Sequence, residues 1–92
     1  NGFISIEVDP ALCDDTQATI DEGIRLFDEI GYNNVMIKIP ATTSGYEAMK
    51  HLTSLGINVN ATLVFSHIQA IKCANALNDG ISQSKKTPKA VI

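Results

Sequence analysis

The sequence predicts an α/β fold, and within that class a (β/α)8 TIM barrel of which these residues would supply about three consecutive βα units. Three observations point there. Short segments rich in β-branched residues recur at 3–9, 35–40 and 57–65, and each is followed by a stretch with helical spacing. No hairpin turn joins any two of these segments, so the strands should run parallel through right-handed crossovers. Each strand is also aliphatic on one face and polar on the other, whereas an open sheet covered by helices on both faces should read as nearly continuous apolar strands. That asymmetry favours the barrel, with an outer aliphatic face and a polar interior, over an open doubly wound sheet.

The elements follow in order. In the first strand Ile4, Ile6 and Val8 share one face and Ser5, Glu7 and Asp9 the other. The first helix, 16–30, sets Ile20, Ile24, Phe27 and Ile30 on one stripe, with Asp14 and Asp15 at its start and Gly31 at its end. In the second strand Val35, Ile37 and Ile39 oppose Met36 and Lys38. Ser44-Gly-Tyr-Glu47 has the form of a capping box for a short second helix, with Met49, Leu52 and Leu55 on its apolar side and Gly56 as a left-handed cap. In the third strand Ile57, Val59, Ala61, Leu63 and Phe65 oppose Asn58, Asn60, Thr62 and Val64. Ser66-His-Ile-Gln69 forms a second capping box, leading into a stripe of Ile68, Ile71, Ala74 and Leu77 with Gly80 as the stop. The polar stretch 82–89 reads as a loop before a fourth strand at 90–92.

Length and composition bound the rest. Ninety-two residues form a single domain with one modest core, and 45% hydrophobic against 18% charged residues excludes a disordered chain. A whole barrel needs about 250 residues, so 1–92 is expected to be a single partial barrel domain. The opening Asn-Gly-Phe-Ile-Ser-Ile-Glu carries neither an initiator methionine nor a signal-peptide pattern and reads as the interior of a longer chain. A net charge of −3 gives no electrostatic footprint for nucleic acid or an anionic membrane, and no segment is apolar enough to span one. Cys13 and Cys73 have neither metal-site nor disulfide spacing and fit a reducing, cytoplasmic setting.

Lys38 is the residue most suggestive of chemistry. Within Val-Met-Ile-Lys-Ile-Pro it must point into the interior that its aliphatic neighbours avoid, and a lysine held there is either paired with a carboxylate or partly neutral. A free amine can attack a carbonyl carbon and form a Schiff base. The competing reading is a lysine that reaches solvent or forms a structural ion pair. Glu7 lies at the equivalent position of the preceding strand, so its carboxylate should come close to Lys38 or to a water between them. It could move the protons that such chemistry requires, or serve only as a salt-bridge partner. Asn58, Asn60 and Thr62 would present amides and a hydroxyl to the same interior, which suits the hydroxyl groups of a polyol. Asn58 could equally lie in a turn and Asn60 satisfy backbone groups. His51 and His67 read as surface residues, Lys85 and Lys86 as a solvated pair, and Tyr46 as packing against the wall with a rim contact open to it. No metal or dinucleotide motif is present, so no cofactor is expected.

Three motifs then carry a resemblance across nearly the whole chain. Ser-Ile-Glu-Val-Asp at 5–9, Asn-Val-Met-Ile-Lys-Ile-Pro-Ala-Thr at 34–42 and Gly-Ile-Asn-Val-Asn-Ala-Thr-Leu-Val-Phe-Ser at 56–66 resemble the transaldolases in order and spacing. The resemblance implies a (β/α)8 barrel that transfers a dihydroxyacetone unit between sugar phosphates of the pentose phosphate pathway through a lysine Schiff base, without a metal. It implies Lys38 as the Schiff-base lysine, Glu7 as the acid/base carboxylate, Thr62 as the residue positioning a catalytic water, and Asn60 as a contact to the three-carbon unit. The family's substrate-phosphate residues have no match here, so the rest of the barrel would be needed to complete the site. Related fructose 6-phosphate aldolases resemble a pattern lacking the acid/base Glu, so Glu7 favours transfer over aldol cleavage. A further alternative is that the 92 residues, as they stand, are an inactive fragment or an association module with exposed sheet edges.

Overall fold

The computed structural model describes residues 4–9, 14–31 and 34–92. Their order is β1 (Ile4–Glu7), α1 (Thr16–Ile30), β2 (Val35–Pro40), α2 (Thr43–Ser54), β3 (Asn58–Thr62), α3 (His67–Gln83) and β4 (Ala90–Val91). The four strands are all parallel and lie in chain order, β1-β2-β3-β4. Successive right-handed crossovers without a reversal of strand order put the helices on one face of the sheet. This is an α/β arrangement consistent with part of a (β/α)8 barrel, and among the described residues there is no switch in strand order of the doubly wound kind.

The predicted faces explain the core. Val35, Ile37, Ile39 and Val59 are wholly buried against the helices, with Met49 and Leu52 of α2 packed onto them. Burying each such aliphatic side chain stabilises the fold by about 1.5–3 kcal/mol. Asp15 caps α1 by accepting the Ala18 N–H at 2.9 Å, and Ile20 is buried while Ile24, Phe27 and Ile30 pack partly against the core. Gly31 and Gly56 both take left-handed conformations at the ends of α1 and α2, as the sequence predicts.

Several predictions made on local pattern are corrected. The α2 cap is Thr42 rather than Ser44: the Thr42 hydroxyl accepts the Gly45 N–H at 3.0 Å, because the chain turns into the helix directly after Pro40-Ala41. Leu55 lies beyond the last turn of α2 and is exposed. β1 ends at Glu7 and β4 at Val91, and Phe3 lies outside the described residues.

β3 ends at Thr62, because Leu63 adopts φ +55° and breaks the alternation. The side-chain parity therefore reverses. Val64 packs against the core, while Leu63 and Phe65 are 61% and 83% exposed.

In α3 the buried side is Cys73, Ala76, Leu77 and Gly80. Ile68 and Ile71, on the predicted stripe, are 66% and 59% exposed. Gly80 does not stop the helix, which runs on to Gln83. A Cβ at position 80 would overlap the Thr53 hydroxyl and the Lys50 carbonyl, so this glycine sets how closely α2 and α3 approach. The sequence signal, a Gly after a helical run, is the same for a stop and for a close crossing.

Candidate active site

Parallel register brings the polar residues of separate strands onto shared rungs. Ser5 pairs with Met36 and Met36 with Asn58; Glu7 pairs with Lys38 and Lys38 with Asn60; Pro40 pairs with Thr62. All of the rungs lie on the face away from the helices. The lowest rung is closed. Met36 is buried, and Asn58 is buried with its amide donating to the Val35 carbonyl at 3.0 Å and its oxygen accepting the Lys89 N–H at 2.8 Å. Asn58 thus lies in β3 rather than in a turn, and it is this residue, not Asn60, that satisfies backbone groups, tying β2 and β3 to the segment entering β4.

The upper rungs are open. Glu7, Val8, Lys38, Pro40, Thr42, Thr62 and Leu63 line a pocket of about 280 Å³ at the C-terminal ends of the strands, the end at which parallel α/β folds bind their ligands. Lys38 is half-buried and Glu7 exposed. Among the described residues the two form no ion pair or hydrogen bond with each other or with another side chain, so the salt-bridge reading is absent from this structure. Asn60 is half-buried beside Lys38 and donates to the Ser5 hydroxyl at 3.3 Å instead of serving backbone groups. The structure therefore gathers Glu7, Lys38 and Thr62 in one pocket and sets Asn60 on the rung beneath Thr62.

The strand-to-helix loops at the pocket's mouth are held by Gln69 and Ala41. The Ala41 N–H donates to the Thr62 carbonyl at 2.9 Å. Gln69, three residues after the α3 cap, accepts the Phe65 N–H at 2.8 Å, and its amide nitrogen donates to the carbonyls of Ala41 at 3.2 Å and Leu63 at 3.3 Å. Tyr46 packs partly against the core, with its hydroxyl 3.4 Å from the Ala41 carbonyl and the Lys72 ammonium 5.9 Å from its ring centre. Sequence reasoning missed Thr42 and Leu63 as pocket residues. Thr42 has an ordinary N-cap signature that Ser44 shares, and nothing in an apolar run marks a leucine for left-handed backbone.

The remaining candidates are peripheral. His51, His67, Lys85 and Lys86 are exposed, and no three His, Cys, Asp or Glu side chains among the described residues are grouped as metal ligands. No helix among them is long and apolar enough to cross a membrane. Cys73 is buried as a free thiol, and burial raises its pKa; Cys13 lies outside the described residues.

Comparison with known proteins identifies the family. The model of the transaldolase/fructose-6-phosphate aldolase family matches residues 1–90. A transaldolase of Campylobacter jejuni subsp. doylei is 50% identical over the whole chain, which covers 32% of that protein. One from Campylobacter jejuni strain RM1221 is 48% identical with the same coverage. A transaldolase of Neisseria meningitidis serogroup C is 48% identical over 89% of the chain and 23% of its own length. The chain thus spans about a third or less of the length of these three relatives, each of them named transaldolase. By sequence, the chain belongs to the transaldolase/fructose-6-phosphate aldolase family, which is a family of enzymes.

Proposed function

We propose that residues 1–92 are a single partial barrel domain of a transaldolase, contributing the Schiff-base lysine and its proton-transfer partner to a site that further barrel strands complete. The observation that carries this reading is the meeting of Glu7, Lys38 and Thr62 in one strand-end pocket, with Glu7 and Lys38 on one rung and unpaired. In this reading the free Lys38 Nζ attacks the carbonyl carbon of a ketose phosphate, and loss of water from the carbinolamine gives an iminium. The iminium withdraws electrons as the neighbouring carbon–carbon bond breaks and a hydroxyl proton leaves. The aldose product departs, and the three-carbon unit remains on Lys38 as an enamine. Its addition to an acceptor aldehyde, followed by hydrolysis, restores the amine. Glu7 acts through a water that the Thr62 hydroxyl positions, and Asn60 contacts the hydroxyls of the three-carbon unit. The full reaction converts sedoheptulose 7-phosphate and glyceraldehyde 3-phosphate into erythrose 4-phosphate and fructose 6-phosphate.

The matching family also includes fructose 6-phosphate aldolases, and Glu7 favours transfer over simple cleavage. The test uses the full-length protein. Incubation with fructose 6-phosphate and borohydride should add a three-carbon unit to the peptide carrying Lys38, and Lys38→Arg should abolish the adduct. Turnover should require an acceptor aldose phosphate. No adduct in wild-type protein would sink the Schiff-base assignment, and steady release of free dihydroxyacetone without acceptor would favour the aldolase.

A further inference from the structure

We infer that Gln69 is a positioning residue that sets the Thr62 side of the pocket by clamping the β3–α3 loop to the β2–α2 loop; this rests on the Schiff-base reading above. The capping-box pattern assigns Gln69 a local role, reaching back to the N–H of the Ser66 cap. Its side chain does something else. The Gln69 oxygen accepts from the Phe65 N–H at 2.8 Å and lies 3.3 Å from the Ser66 hydroxyl, and the amide nitrogen spends both hydrogens on the carbonyls of Ala41 and Leu63. The two donors and the acceptor sites of the amide are therefore all committed.

Those partners lie next to the chemistry in sequence and in space. Ala41 follows Pro40 and precedes Thr42, both of which line the pocket, and the Ala41 N–H holds the Thr62 carbonyl at 2.9 Å. Leu63 follows Thr62, lines the same pocket, and is the sole non-glycine residue with positive φ among the described residues. A left-handed leucine is disfavoured unless its surroundings hold it. The hydrogen bonds to its carbonyl and from the Phe65 N–H hold the chain on its C-terminal side, and the Ala41 N–H on the Thr62 carbonyl holds it on the N-terminal side. Through the Ala41, Thr62 and Leu63 carbonyls, Gln69, Ala41 and the segment 62–63 form a closed ring of hydrogen bonds across two loops. The ring fixes where β3 ends and hence where the Thr62 hydroxyl sits relative to Lys38 and Glu7, although Gln69 itself is not among the pocket-lining residues.

The experiment compares Gln69→Glu and Gln69→Met in the full-length protein. Glu keeps a capping side chain at this position and turns a carboxylate toward the two carbonyls, so it opens the ring while preserving the helix start; Met removes every bond. For Gln69→Glu, kcat should fall about ten- to hundredfold, as for a displacement of about 1 Å at the reacting groups. KM should stay within about threefold, because the loss falls on the transition state. The borohydride adduct at Lys38 should still form, and the melting temperature should stay near that of the wild type. If Gln69→Met fails to fold, the Glu variant still decides the matter. Unchanged kcat in a folded variant, or activity lost only in proportion to unfolded protein, would overturn the inference while leaving the Lys38 assignment intact. Absence of the adduct in wild-type protein would overturn both.

Discussion

Glu7 and Lys38 are register partners on adjacent parallel strands, with backbones about 4.8 Å apart, and their charged ends nevertheless do not meet. A buried ion pair broken by substitution typically costs about 3–5 kcal/mol, because the surviving charge is stranded. Here Glu7 is exposed and Lys38 borders an open pocket, so neither relies on the other for solvation.

Glu7→Gln should accordingly leave stability within about 0.5 kcal/mol of wild type. Its turnover should drop by about 10²- to 10⁴-fold if the carboxylate moves protons. Chemical denaturation and steady-state rates on the same preparation separate the two. A large loss of stability with little loss of rate would return Glu7 to a structural role.

Asn58 and Asn60 lie two residues apart on one face and should respond in opposite ways. Asn58→Ala strands the Val35 carbonyl and the Lys89 N–H and should cost about 1–3 kcal/mol, with the folded fraction fully active. Asn60→Ala loses one bond to Ser5 and should act on KM and kcat while leaving the denaturation midpoint almost unmoved. Identical stability losses for both would contradict this division.

Gly80→Ala should destabilise by about 1–3 kcal/mol through overpacking between α2 and α3, less the roughly 1 kcal/mol that alanine gains within a helix. A raised urea midpoint would show that the two helices separate without penalty, leaving only the gain from alanine.

Cys73 should resist alkylation in the native protein, since the thiolate is the reactive form and burial raises the thiol's pKa. The folded state holds this proton more tightly than the unfolded chain. The associated stability is therefore complete below the ordinary thiol pKa and is lost as pH rises through the raised one. Peptide mapping after iodoacetamide treatment at neutral pH should find Cys73 labelled only once denaturant is added; rapid native labelling would argue against burial.

The repeated strand-and-helix pattern and the one-sided polarity of each strand were legible because both come from local alternation, which burial enforces at Val35, Ile37 and Val59. Lys38 and Glu7 were legible for the same reason: a charge in an aliphatic strand leaves few directions open to it. What the pattern could not show depends on contacts between elements. Ile68 and Ile71 have the spacing of a buried stripe, yet the side of α3 that packs on α2 is chosen by the small residues Cys73, Ala76 and Gly80, which allow close approach. Leu63 continues the alternation in sequence, and nothing local marks its left-handed backbone, whose carbonyl accepts from a side chain six positions later. The clamp at Gln69 was half visible, as a cap, because its other half lies 28 residues upstream at Ala41.

The chain-order arrangement of the strands also bears on how the molecule assembles. Each strand finds its partner one crossover away, Ile4 with Val35, Met36 with Asn58, Val59 with Ala90, so no pairing must wait for a distant stretch of polypeptide. Contacts of short sequence separation form fastest, and a ribosome delivers residues in that same direction. The rung joining Glu7 to Lys38 therefore needs no residue beyond β2, with Asn60 added one unit later. Lys38 would then be flanked by its neighbours at an early stage of synthesis.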